Sequence, residues 1–342
     1  MAVVRLKDIA ARAGVSLMTV SKALRNADDV AEATRARIKA LAEQMGYVPD
    51  FSAQGLRKRA TKLLGLIVPT STNPAFARIV LGLEERAYEL GYDLLYAHTL
   101  NLLQREETLI QHMLARRVEG LFIYPVHRLQ PEARIYQELQ ARQLPVVLLG
   151  QPAPFCSGFP CVAADDEAGS YEATRHLLQL NHRRIAFLAG PIAAPWARER
   201  LTGYQRALRD ANIEPDDHLL FPGGSTVADG AQAAERLLSE ARDFTAIQAA
   251  NDLVAIGCGG HLLDHGVRIP QDVSLVGFGD ILMTEHFRVP LTTLHQPQHR
   301  IANAAMDIMS RLLRGLPGES RRLPATLIIR HSTGPSPAKS PA

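Results

Sequence analysis

Ser16, Leu17, Met18, Thr19, Ser21 and Lys22 stand within one short stretch and offer three hydroxyls, an ammonium and two flexible apolar side chains. That mixture suits a nucleic acid. Hydroxyls reach phosphate oxygens, lysine donates to base edges, and leucine or methionine can lie against thymine methyl groups. Other chemistry is thinner. His261 and His265 have the i, i+4 spacing of a metal pair, but no third ligand stands nearby and a helix end is the expected reading. Gly257-Cys258-Gly259-Gly260 lies inside a helical pattern rather than between strand and helix, so close helix packing is expected there, not a phosphate loop. The sequence holds neither a nucleophile motif nor a phosphate-loop lysine. It therefore points away from an enzyme, and no metal or cofactor is expected.

The elements that must position Ser16 to Lys22 are legible. Leu6, Ile9, Ala10 and Ala13 repeat at helical spacing and predict a first helix over 6–13, closed by Gly14, the residue best suited to a left-handed turn. Val15 points back to the core. Ser16 is a good N-cap for a second helix over 17–24 with Val20, Ala23 and Leu24 inward. A third helix over 34–45 supplies Ile38, Leu41, Ala42 and Met45 as cover, and Gly46 ends it. Helix, tight turn, helix is the arrangement that places its second helix in the major groove.

Charge supports this. Residues 1–60 hold 11 Lys/Arg against 6 Asp/Glu, an excess of +5, whereas the whole 342-residue chain carries only +3. One segment is built to meet a polyanion and the larger part is not. The length implies two or three folded units, and no apolar run approaches the roughly 20 residues of a membrane helix. Asp8 interrupts the N-terminus, which lacks an export signal. Cys156, Cys161 and Cys258 are odd in number and without metal-type spacing, so they are expected as packing residues or free thiols in a reducing compartment. A cytoplasmic location follows from both readings.

LKDIAARAGVSLMTVSKALRN, then a helix ending in MGYVPD, then SAQGLRKRATKLLGLIVP, resembles the headpiece and hinge of the lactose/galactose repressor family. The similarity extends over nearly the whole chain. It implies a helix-turn-helix headpiece over 1–50, to whose DNA contacts Tyr47 belongs, and a hinge over 51–61 that becomes a minor-groove helix on operator DNA. In that hinge Leu56 matches the family's wedging leucine, Ala53 the small residue facing its symmetry mate, and Arg57 a phosphate contact; apolar wedges are a general minor-groove device. Gln54 departs from the family's common Arg, and Gly55 costs about 1 kcal/mol of helix propensity relative to Ala. The family binds palindromic operator DNA as a homodimer, and the helices near 76–90 and 253–265 are the expected partner surfaces.

From Leu63 onward short apolar runs alternate with amphipathic stretches. Strands are predicted at 64–68, 93–96, 120–124 and 146–149, and again at 185–189, 219–221, 246–248 and 275–278, with helices between them. The fold class is therefore α/β: an all-α headpiece followed by a two-lobed, periplasmic-binding-protein-like core of two parallel open sheets. The core is expected over 62–334, with lobe 1 at 62–163 plus 292–325, lobe 2 at 164–291 plus 326–334, and a disordered tail at 335–342. Ligands of open parallel sheets bind beyond the C-terminal strand ends. That places a small-molecule effector, a sugar or sugar acid, against the loops at 69–76, 98–101, 125–128, 151–154, 190–198, 250–252 and 279–281. Candidate contacts are Asn73, Phe76, Tyr124, Gln151, Arg198, Asn251, Asp252 and Asp280, of which Arg198 and Asn251 follow from ARERLTGY and AND of AANDLVAIG by resemblance.

Gly279 stands where the family often places a ligand-binding aspartate. Its absence favours an anionic effector such as a sugar acid, with His98, His127, Arg128 and Arg198 as cationic partners, and Ser71 to Phe76 is faintly similar to gluconate-type repressors. Rival readings are a ligand-independent architectural DNA-binding protein and a sugar-binding protein of the periplasmic type.

Overall fold

The computed structural model describes residues 4–48, 60–240 and 243–337. The chain divides into two compact units, with the boundary between Thr61 and Lys62.

In the first unit α1 (Leu6–Ala13), α2 (Leu17–Leu24) and α3 (Glu32–Gln44) enclose a small core centred on Ile9, Val20, Ala23 and Ile38. Gly14 takes φ +66°, which a β-carbon disfavours, and turns the chain between α1 and α2. The Ser16 hydroxyl accepts the Thr19 N–H at 3.1 Å and starts α2. The start of α3 falls two residues before the expected Thr34, with Glu32 in its first turn, where a carboxylate complements the helix dipole. Arg35 closes the connecting loop by donating to the Ala27 and Val30 carbonyls.

The second unit opens with β1 (Leu63–Val68), α4 (Pro74–Glu89), β2 (Asp93–His98), α5 (Leu103–Ala115), β3 (Gly120–Ile123), α6 (Arg134–Ala141), β4 (Val146–Leu149) and β5 (Cys161–Ala164). Next come α7 (Asp166–Gln179), β6 (Ile185–Ala189), α8 (Pro195–Asp210), β7 (Leu220–Pro222), α9 (Val227–Glu240), β8 (Ala246–Ala249), α10 (Asp252–Asp264), β9 (Ser274–Val276) and α11 (Met283–His286). The chain finishes with β10 (Thr293–His295), α12 (Gln298–Leu313), β11 (Arg321–Leu323) and β12 (Thr326–Ile328). One parallel sheet has the order β11-β5-β4-β3-β1-β2 and the other β7-β6-β8-β9. Strands such as GLFI and VVLL are buried throughout because helices cover both faces of each sheet.

Two lobes result, joined by three crossings. β5 leads directly into α7, and β11 passes to β12 through residues 324–325. The remaining crossing lies later than the expected residue 292. β10 stays with the second lobe, paired antiparallel with β12 and bridged to Gly279, and the chain returns only between His295 and Gln298. α12, which periodicity had not singled out, brings Ile301, Ala302, Ala305 and Met309 into the first lobe's core beside Leu64 and Phe122.

Gly257 allows α10 to lie against the start of α9: a β-carbon there would stand 1.9 Å from the Val227 carbonyl oxygen. Packing is thus the role of this glycine-rich segment. The three cysteines are free and buried, and burial pushes the Cys258 thiol up to about 12. At the C-terminus, residues 335–337 of the expected disordered tail are placed, with the Ser336 N–H donating to the Leu180 carbonyl at 2.8 Å; residues 338–342 lie outside the described residues.

Candidate DNA-binding and effector sites

In the headpiece, Leu17 and Met18 are 51% and 54% exposed although α2's other apolar residues turn inward. Both side chains therefore stand outside the headpiece core, on the same helix turn as the hydroxyls of Ser16 and Thr19. Ser16 and Thr19 share a hydroxyl hydrogen bond of 2.9 Å, so each is oriented before any partner arrives. Lys22 pairs with Asp29, an exposed bond that a phosphate can replace. Ser21 is half-buried, and Tyr47 packs partly buried against the headpiece core. The expected hinge contacts Ala53, Leu56 and Arg57 lie outside the described residues.

The second unit holds a cavity of about 300 Å³ between its lobes, within the usual size of small-ligand sites. Each of the seven strand-end loops expected from the sequence supplies a wall residue: Asn73, Asn101, His127, Gln151, Trp196, Asn251 and Gly279 are examples. Phe76 and Tyr124 form an edge-to-face pair 4.8 Å apart on the first lobe, and burial raises the Tyr124 hydroxyl, keeping it neutral. Asn73 and Asn251 both cap helices. Their carbonyl oxygens accept the N–H of Ala75 at 3.1 Å and of Val254 at 2.9 Å, which leaves each amide nitrogen as the group able to donate to a ligand.

Other expected contacts sit differently. Arg198 is exposed on the first turn of α8 and does not line the cavity; Arg200, two residues on, does. That offset turns the side chain by about 200° around the helix. The Arg200 Nε and Nη2 donate to Asp166 at 2.8 and 2.6 Å, and its guanidinium stacks on Phe278 at 3.6 Å. Asp280 points away from the cavity wall, donor groups of Arg330 and His295 holding it at 2.7 and 2.8 Å. Asp252 lines the wall but is 1% exposed, accepting from the Thr293 hydroxyl at 2.5 Å and the Ile281 N–H at 3.0 Å. Burial raises its carboxyl to about 6. Its carboxylate also explains the glycine at 279, where a β-carbon would come within 3.0 Å of the Asp252 Oδ2.

The expected cationic partners do not converge. Arg128 is withdrawn into a buried pair with Glu106, which also accepts the Tyr136 hydroxyl at 3.0 Å and the Val126 N–H at 2.6 Å. His98 is absent from the cavity wall and packs edge-on to Tyr96. His127 is in the wall, but burial, helped by the charges of Arg198 and Arg128, lowers it to about 4, so its ring is neutral at pH 7.

Gln151 joins the lobes. Its amide nitrogen donates to the Ala164 carbonyl at 3.0 Å and to Glu199 of the second lobe at 2.9 Å, while its oxygen accepts from Arg322 at 3.1 Å. Sequence reasoning missed Asp166, Trp196, Arg200 and Gln298. Asp166 follows a strand too short to show alternation, and Gln298 begins the unassigned α12; Trp196 and Arg200 lay within a segment already singled out. Elsewhere, His261 and His265 stack 4.1 Å apart with the His265 Nδ1 on the His261 carbonyl.

Comparison with known proteins decides the family. Residues 5–50 match the model described as "Bacterial regulatory proteins, lacI family" and residues 174–333 that of a "Periplasmic binding protein-like domain". The chain is 34% identical to the HTH-type transcriptional regulator GalR of Escherichia coli K12 over 96% of its own length and 95% of GalR's. The chain belongs to the LacI family. Among solved structures of similar fold, the lac repressor dimer bound to operator and the anti-inducer ONPF matches with a TM-score of 0.85 at 28% identity, covering 97% of this chain and all of that one. A complex of the transcriptional regulator CelR with cellobiose matches at 0.74 and 30% identity, covering 96% of this chain and 99% of that one.

Like its LacI-family relatives, the protein is a DNA-binding transcriptional regulator with an effector-binding core. Among the described residues no helix is long and apolar enough to cross a membrane.

Proposed function

We propose that this LacI-family protein is a cytoplasmic repressor that binds palindromic operator DNA as a homodimer and is controlled by a sugar or sugar acid held between its lobes. The observation that carries the reading is the inter-lobe cavity, walled by loops from both sheets, in a chain whose other unit is a basic helix-turn-helix. Ser16, Leu17, Met18, Thr19, Ser21 and Lys22 meet the major groove, Tyr47 supports them, and Ala53, Leu56 and Arg57 serve the minor groove and its phosphates. One +5 headpiece binds weakly, and two aligned on half-sites bind specifically.

The solved relatives, a repressor dimer on operator and a regulator holding cellobiose, support both halves. For dimerisation α4 presents Leu81 and Tyr88, 57% and 80% exposed. In the second lobe the contact is α10, which turns Val254, Cys258 and Leu262 into its own lobe's core and leaves its other face for a partner, together with the exposed Leu282 and Met283. Effector binding changes the lobe angle and with it the spacing of the two hinges, coupling ligand to DNA affinity reciprocally.

Selection of bound sequences from random DNA, with and without a metabolite pool, tests this. A palindrome whose enrichment changes with the pool is the expected result. Enrichment without symmetry, or unaffected by any pool, overturns it.

A further inference from the structure

Each lobe is packed on its own apolar core. Among the described residues the buried clusters around Phe122 and Tyr136 belong to the first lobe, and those around Phe187 and Leu275 to the second. Lobes with separate cores, joined by three crossings, move relative to each other unless polar contacts set their angle.

Glu199, Gln151 and Arg322 supply such contacts as a closed ring. The Glu199 Oε2 accepts from the Gln151 Nε2 at 2.9 Å and its Oε1 from the Arg322 Nη2 at 2.5 Å, while the same arginine nitrogen donates to the Gln151 Oε1 at 3.1 Å. Glu199 stands on α8 of the second lobe, whereas Gln151 follows β4 and Arg322 lies on β11 of the first. The ring is partly withdrawn from water, with Gln151 buried and the Glu199 side chain 21% exposed. Charge-assisted bonds in such a place hold more firmly than an exposed ion pair does. Asp165, 3.9 Å from Arg322, draws the guanidinium to the first crossing.

Gln151 also belongs to the cavity wall. One of its amide hydrogens goes to Glu199 and the other to the Ala164 carbonyl at 3.0 Å, so both are in use. A ligand that takes a hydrogen bond from this amide competes with the contact between the lobes.

We infer that the ring of Glu199, Gln151 and Arg322 is a brace that sets the lobe angle of the unliganded protein, and that an effector acts on this set angle rather than on freely swinging lobes. The brace stands on the core alone; its regulatory consequence rests on the cleft being the effector site.

The test uses the full chain without ligand. Trp196 is the chain's single tryptophan and lines the cavity from the second lobe, so its quenching by acrylamide reports lobe separation. Arg322→Met and Glu199→Gln should each shift the balance of lobe angles about tenfold, the size of a hydrogen bond to a partly buried charge, and raise that quenching about twofold or more. Arg322 belongs to the other lobe, so its substitution reaches Trp196 only through the angle. The double variant should be quenched no more than either single one, because both remove the same contact; melting curves confirm that all three fold. The inference is overturned when Arg322→Met is quenched as the parent is, or when the effects of the two substitutions add. Affinity for the operator selected from random DNA is measured on the same proteins. Variants with the expected quenching and unchanged operator affinity refute the coupling of lobe angle to DNA proposed above and uphold the brace.

Discussion

At the scale of single residues, the effector site is organised by buried carboxylates as much as by the residues that line it. Asp166 fixes Arg200, and Asp252 fixes the 277–281 turn through Ile281 and Thr293. Burial raises the Asp252 carboxyl from 3.8 to about 6, so the folded state binds a proton that the unfolded chain has already released. The stability tied to that proton is fully present below pH 4 and is lost as pH rises through 6. The stability of the parent minus that of Asp252→Asn should therefore fall by about 2 kcal/mol between pH 4 and pH 7, read from denaturant unfolding at each pH. A difference that rises over this range would show that Asp252 is ionised and stabilising.

At the scale of elements, close helix approach holds the second lobe together. α9 and α10 meet where Gly257 lies under the Val227 carbonyl, and a methyl group there forces backbone apart, since backbone has no rotamer to yield. Gly257→Ala should cost about 1–3 kcal/mol or more, seen as a lower melting temperature of the core. Substitution without loss would mean that the helices slide at little cost. Between lobes, Glu199 on α8 contacts Gln151 and also Arg322 of β11, at 2.5 Å, and the Gln298 amide at the start of α12 donates to the Gly279 carbonyl at 3.0 Å, so polar contacts from both lobes span the cleft.

At the scale of the whole molecule, a basic headpiece and a nearly neutral core are joined by the segment that contains Leu56. A wedge residue acts only where the duplex is kinked, whereas phosphate contacts act on any sequence. Leu56→Ala should weaken operator binding at least about tenfold and leave the affinity for random DNA, and the slope of binding against salt, unchanged; fluorescence anisotropy over a salt series measures both. Equal loss on operator and random DNA would refute the wedge.

The sequence by itself determined the helix-turn-helix, the basic excess, the alternation that builds two parallel sheets and the loops that surround the cleft. Each depends on local periodicity, a cap or a turn residue such as Gly14 or Ser16, which act over a few residues. Only the tertiary structure decided that Arg200 and not Arg198 enters the cavity, that Asp280 turns to Arg330 and His295, and that β10 stays with the second lobe. Those outcomes depend on partners 15 to 50 residues away in the chain, and no short-range pattern records which side of a helix or turn such partners will occupy.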